Sequence, residues 1–245
     1  MAADVILEAV FGYLGLVLWS FQLLPQAISN YRLGSVGALS ALMMLVWALW
    51  APIFSAYGLY SNMAVPLLIQ PNIFGFLALL CFVQCLYYRR SVSSSSAVAI
   101  GLFCILLVVM AGLEVALFIA IKHANDNGAS WVPTMIGILP TVLITGGFIP
   151  QYYDIIKTGN VDGISQCFLA MDTLGGVFSI IALVFHPRPF DFLSLGSYVA
   201  VVVLDVGLLI LIQWYNWRAD RRKESSALEE VRCSNYSSTT IGGAH

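Results

Sequence analysis

Leu23-Leu24-Pro25-Gln26 returns 125 residues later as Phe148-Ile149-Pro150-Gln151. Laid over one another without a gap, residues 21–60 and 146–185 agree at Pro25/Pro150, Gln26/Gln151, Gly34/Gly159, Val36/Val161, Ser40/Ser165 and Leu49/Leu174. The agreement falls on the Pro-Gln pair and on a Gly-x-Val-x-x-x-Ser turn behind it, not on apolar filler. Each copy closes one apolar segment and passes through a short polar turn into the next. This is the mark of a duplicated helix-turn-helix unit inside a membrane.

Composition agrees. Sixty per cent of the 245 residues are hydrophobic and 10% are charged, too little polar surface for a soluble domain of this length. Apolar runs of about 20 residues, the length that crosses a hydrocarbon core as a helix, fall at 10–30, 39–60, 66–88, 97–121, 131–153, 164–186 and 191–217. The expectation is an all-α membrane protein of seven transmembrane helices. Three-helix units at 10–88 and 131–217 are joined by a linker helix at 97–121 and followed by a disordered cytosolic tail at 218–245. A three-helix unit ends on the side opposite its start. An unpaired fourth span restores the orientation, which gives a parallel 3+1+3 repeat.

Charge sets the sidedness. One side collects Arg32, Arg89, Arg90, Lys157, Arg218, Arg221, Arg222, Lys223 and Arg232, and the other keeps Lys122 and Arg188. The positive-inside rule puts the C-terminus in the cytosol and the N-terminus in the lumen. Asp4 and Glu8, with no basic residue before the first span, argue against a cleaved signal peptide. Ser91–Ser96 reads as a short flexible connector. Of five cysteines, Cys81, Cys85, Cys104 and Cys167 lie in spans and Cys233 lies in the tail, so no disulfide framework is expected. Cys81 and Cys85 share a helix face, but two thiols make a poor metal site and read as packing. His123, His186 and His245 are scattered, without a nucleophile-base pair, so catalysis is not expected.

Each proline removes an amide hydrogen and crowds the carbonyl four residues back, so the helix bends or opens there. The neighbouring glutamine amide is expected to satisfy the freed carbonyl. Pro25, Gln26, Pro150 and Gln151 thus read as a pair of hinges at matching depth, against the blander reading of two helix-ending marks. Trp19, Gln22, Trp47, Gly175 and Gly176 are candidates for lining a solute cavity. For the aromatic residues, packing is the competing reading.

Asp172 and Asp205 fall about 12 Å and about 20 Å inside their spans at 1.5 Å per residue. An aspartate at mid-helix costs about 2.5–3.5 kcal/mol on insertion scales, so an offsetting role is expected. One reading is a pair of protonated acids hydrogen-bonded to neighbouring helices. The other is proton coupling, left open because no lysine or arginine lies within either span. The first copy has Trp47 where the second has Asp172, which concentrates proton chemistry in the second half. Glu114, on the linker helix, is a weaker candidate.

These residues resemble the PQ-loop repeat family, and within it the cystinosin-type lysosomal and vacuolar transporters, over most of residues 12–222. The first motif resembles Trp19-Ser20 through Pro25-Gln26, Asn30-Tyr31-Arg32 and Ser35. The second resembles Pro150-Gln151 with Asp172 and Gly175-Gly176. The third helix ends like Val83-Gln84-Cys85-Leu86-Tyr87, and the last helix resembles Asp205-Val206. In span 6 and in size the chain is also similar to fungal members of unassigned substrate. The resemblance implies that Asp172 and Asp205 take part in proton coupling and that the Pro-Gln turns act as hinges for alternating access. Departures fall at Ile73, Ile155, Phe168 and Ser194, where cystinosin-type proteins carry an acid, two asparagines and a lysine. The scaffold therefore carries over better than the substrate.

The function expected is a proton-coupled carrier that exports a small polar solute, an amino acid being one candidate, from an acidic organelle, vacuolar or lysosomal, to the cytosol. Its partners are that solute, protons and the lipid bilayer, with no cofactor, metal or nucleic acid. Two rivals stay open. One is a pH-independent sugar facilitator, and the other is a membrane sensor or trafficking scaffold that recruits a cytosolic partner at the turns 30–38 and 154–163.

Overall fold

The structure is a computed structural model that describes residues 2–61, 65–89, 95–185 and 192–241. Arg90, Arg188 and the connector residues 91–94 lie outside the described residues, as does the side chain of Ser194. Among the described residues the chain forms nine helices: α1 (Ala2–Phe21), α2 (Leu24–Leu33), α3 (Ala41–Tyr60), α4 (Val65–Tyr88), α5 (Ser96–Asp126), α6 (Trp131–Gly146), α7 (Phe148–Thr158), α8 (Gln166–Phe185) and α9 (Phe192–Ile241). They make seven segments long and apolar enough to cross a membrane, because α1 with α2 and α6 with α7 each run as one interrupted span. The chain is a multi-pass, all-α membrane protein.

Local chemistry explains the ends of these helices. Gly34 and Gly159 close α2 and α7 in the left-handed conformation at φ +59° and +65°, which glycine adopts without a Cβ penalty. Ser40 and Ser165 then start the next helices, their hydroxyls accepting from the Met43 and Phe168 amides at 3.5 and 3.2 Å. The Gly-x-Val-x-x-x-Ser signature is thus a C-cap followed by an N-cap. Pro52 lies inside α3 and Pro71 inside α4.

The first span packs against α8 and α4. α3 packs against α4, α5 and α6, α4 also against α5, and α9 against α8 and α6. The buried centre gathers Trp47 among Phe74, Phe148 and Phe168, with ring centroids 5.6, 5.1 and 5.9 Å away. Such aromatic pairs contribute about 0.5–1.5 kcal/mol each beyond their buried area. The outside is apolar: Val108, Ile119, Val142 and Val203 are all more than half exposed, as a surface in contact with lipid requires.

The tail differs from the expectation. Helix α9 does not give way to disorder at 218 but continues to Ile241. No proline or glycine occurs between 218 and 241, and Asp220 and Lys223 pair one turn apart at 3.8 Å. The polarity of this stretch argues against burial, not against a helix.

Candidate functional site

Helix α1 stops at Phe21 and α6 stops at Gly146. Each lies four residues ahead of its proline, where the missing amide and the ring act together. The two interruptions are therefore the same event at the same repeat position.

The glutamines do something the local reading did not anticipate. Gln26 does not repair its own helix. Its Nε2 donates to the Gly163 carbonyl at 2.8 Å and to Asn30 Oδ1 at 2.8 Å, and its Oε1 accepts from the Ser165 amide at 2.5 Å. Gln151 mirrors it: Oε1 accepts from the Ser40 amide at 2.7 Å, and Nε2 donates to the Ala38 carbonyl at 2.9 Å. Each glutamine thus holds the turn of the opposite repeat, at equivalent atoms. Both side chains are fully buried. The two turns also touch directly, the Ala38 amide donating to the Asp162 carbonyl at 2.6 Å. At Gly163, φ is +83° and an added Cβ would lie 3.0 Å from the Gly37 Cα, so this contact requires glycine.

The first repeat extends the network. Asn30 Nδ2 donates to Gln84 Oε1 at 2.8 Å, and Gln84 Nε2 donates to the Ala27 carbonyl at 3.1 Å. Arg89 Nη2 donates to the Leu39 and Gly37 carbonyls at 2.8 and 3.2 Å. At the same offset the second repeat has Ile155 and Leu209 in place of Asn30 and Gln84. One half of the seam is polar and the other is packed.

A second crossed pair lies one step deeper. Trp19 Nε1 donates to the Asp172 carbonyl, and Trp47 Nε1 donates to the Ile144 carbonyl, both at 3.1 Å. The repeat offset converts 19 into 144 and 47 into 172. The two bridges therefore occupy equivalent places, with the indole at opposite ends.

Around the first bridge the structure assembles most of the expected site. Asp172 is 4% exposed and Asp205 is fully buried. Their carboxyls are neighbours, Trp19 and Gln22 flank that of Asp172, and Tyr152 stands beside Asp205. The Tyr152 hydroxyl donates to the Leu204 carbonyl at 2.6 Å. Both Asp205 oxygens and Gln22 Oε1 are buried without a donor. Two facing carboxylates are acceptors only. A proton between them converts the contact to O–H···O and removes the cost of opposed lone pairs. Gly175 and Gly176 admit the neighbouring helices: a Cβ on Gly175 would lie 2.5 Å from Trp19 Cδ1, and one on Gly176 would lie 2.5 Å from Val202 Cγ2. The Tyr198 ring packs at a tilt against Trp19, with centroids 5.5 Å apart.

Trp47 does not join this group. It is fully buried in the aromatic cluster, its N–H is engaged, and it presents no surface to a solute here. The reason is Gly147, whose missing side chain leaves the space that the indole fills. Cys81 and Cys85 are buried, and the Cys85 thiol donates to the Leu39 carbonyl at 3.9 Å. Sequence reasoning passed over Tyr152, although its place beside Gln151 was a signal.

Comparison with known proteins follows the same lines. The PQ loop repeat profile matches residues 7–63 and 132–192. The chain is 34% identical over 209 residues to an uncharacterized protein of Schizosaccharomyces pombe, covering 85% of this chain and 72% of that one. It is 30% identical over 203 residues to an uncharacterized membrane protein of Saccharomyces cerevisiae, covering 82% and 65%. It is 25% identical over 206 residues to cystinosin of Drosophila melanogaster, covering 74% of this chain and about half, 49%, of that one.

Proposed function

This chain belongs to the PQ-loop repeat family, and from that premise we propose that a transporter-like membrane protein of this build is a proton-coupled carrier. It moves a small polar solute, of which an amino acid is one, from an acidic vacuolar or lysosomal lumen to the cytosol. The observation that carries the reading is the Asp172/Asp205 pair: two buried, adjoining carboxyls, with the backbone carbonyl of Asp172 bridged by Trp19 to the first span just before its break.

Spans 1 and 6 meet at one repeat interface and spans 2 and 5 at the other. This supports the parallel 3+1+3 arrangement, with span 4 as linker. The positive side holds the two turns and faces the cytosol. On this reading the crossed glutamines keep that side shut. Opening it requires Gln26 and Gln151 to let go of the opposite turns. A carboxyl that gains or loses a proton at Asp172 changes the charge beside Trp19 and Gln22, and so biases the rocking of span 1 against span 6 about Pro25 and Pro150.

Proteoliposomes with an imposed pH gradient, screened across amino acids and other small polar solutes, test this. Gradient-driven uptake in the wild type that collapses to the gradient-independent level in Asp172→Asn is the expected result. Flux indifferent to both the gradient and the substitution would defeat it. The scaffold reading keeps one observation of its own: Tyr31 and Leu33, beside the first turn, are 77% and 65% exposed. Absence of flux together with a cytosolic partner lost on substituting them would favour it.

A further inference from the structure

Away from the aspartate pair, α3, α4 and α5 enclose a crevice of about 120 Å³. Its floor is Ala48, Ala51, Pro52, Gly75 and Leu79, all buried; Phe76, Leu107 and Ala111 form an exposed rim on the face that meets lipid. Glu114 and Asn72 line it. The crevice lies along the middle of α3, α4 and α5, near mid-depth of the bilayer.

Its polar groups are of one kind. Pro52 has no N–H to give the Ala48 carbonyl, so that oxygen lacks its helical donor. The Asn72 Nδ2 is committed to Ser55 Oγ and to the Leu68 carbonyl, both at 2.9 Å, which leaves its Oδ1 to offer. Glu114 is half-buried and meets no hydrogen-bond donor or cation among the described residues. No lysine, arginine or histidine occurs in α3 or α4, and on α5 the nearest, Lys122, is eight residues away, about 12 Å along the helix. Three helices thus bring three acceptors and no free donor to one apolar crevice open to lipid.

We propose that this crevice binds a primary ammonium carried on an apolar chain. The ammonium is the group that supplies three N–H donors and a positive charge and needs no acceptor. Its chain lies along Phe76, Leu107 and Met110. A quaternary ammonium has the charge without the donors, and an alcohol has one donor without the charge. Neither satisfies the site. Two sources share this chemistry, an aminolipid headgroup and a free amphiphilic amine.

Purified full-length protein in phosphatidylcholine nanodiscs is titrated with dodecylamine, with dodecanol and dodecyltrimethylammonium as controls. Saturable binding of dodecylamine alone is expected, weakened about tenfold or more in Glu114→Gln, as loss of a charge-assisted hydrogen bond in hydrocarbon implies. Ala111→Phe, an exposed position whose new ring fills the crevice, abolishes binding without touching the acid. Equal affinity in wild type and both variants, or equal binding of dodecanol, overturns the proposal. Repeating the titration in phosphatidylethanolamine nanodiscs separates the sources: competition identifies the headgroup as occupant, and unchanged affinity identifies the free amine.

Discussion

Replacing Gln151 by leucine keeps the volume of the side chain and removes both of its hydrogen bonds. The Ser40 amide and the Ala38 carbonyl, bonded at 2.7 and 2.9 Å, are then left buried without partners. Each orphaned group costs about 1–3 kcal/mol, so the closed turn is weakened by about 2–6 kcal/mol relative to a state in which water reaches it. Even the lower bound raises the population of that open state about 30-fold. Hydrogen exchange read by mass spectrometry reports this at the amides concerned. Because the clasp is crossed, a change in the second repeat speeds exchange over residues 36–40 of the first. Gln26→Leu, in turn, speeds exchange over residues 161–165 of the second. Faster exchange confined to the substituted repeat, or none, would refute the crossed clasp as what holds the turns shut.

Gly175→Ala places a methyl against Trp19 and is expected to destabilise the protein by about 1–3 kcal/mol, read as a lowered melting temperature. Gln84→Leu strands Asn30 Nδ2 and is expected to cost about 1–3 kcal/mol. Adding Asn30→Ile, which recreates the Ile155/Leu209 pair of the second repeat, costs less than the two single changes summed, as a double-mutant cycle of melting curves would show. Asp205→Asn keeps or raises stability, since an amide N–H now faces the Asp172 carboxyl, yet loses gradient-driven flux. A variant that melts early and still couples would contradict the role given to the pair.

The sequence yields its spans and breaks because these depend on local rules: apolar length, the proline that ends a helix four residues earlier, and glycine at a left-handed cap. The adjoining of Asp172 and Asp205 was within reach for a similar reason, since a mid-membrane acid needs company. What the glutamines hold was not. Their partners on the opposite turns lie more than a hundred residues away, and nothing near Gln26 names Ser165. Trp47 was misread because a tryptophan facing a cavity and one packed against glycine look alike until Gly147 is seen beside it. The continuation of α9 was missed because hydropathy reports burial and is silent on backbone conformation.

The paired tryptophan bridges make the two halves complementary. The N-terminal half supplies both indoles, from Trp19 and Trp47, and the C-terminal half supplies both carbonyls, from Asp172 and Ile144. Two N-terminal halves brought together would set indole against indole at each bridge, and two C-terminal halves would have no indole at either. At these two bridges the halves are therefore not interchangeable: the unlike pairing is the one that sets a single indole at each.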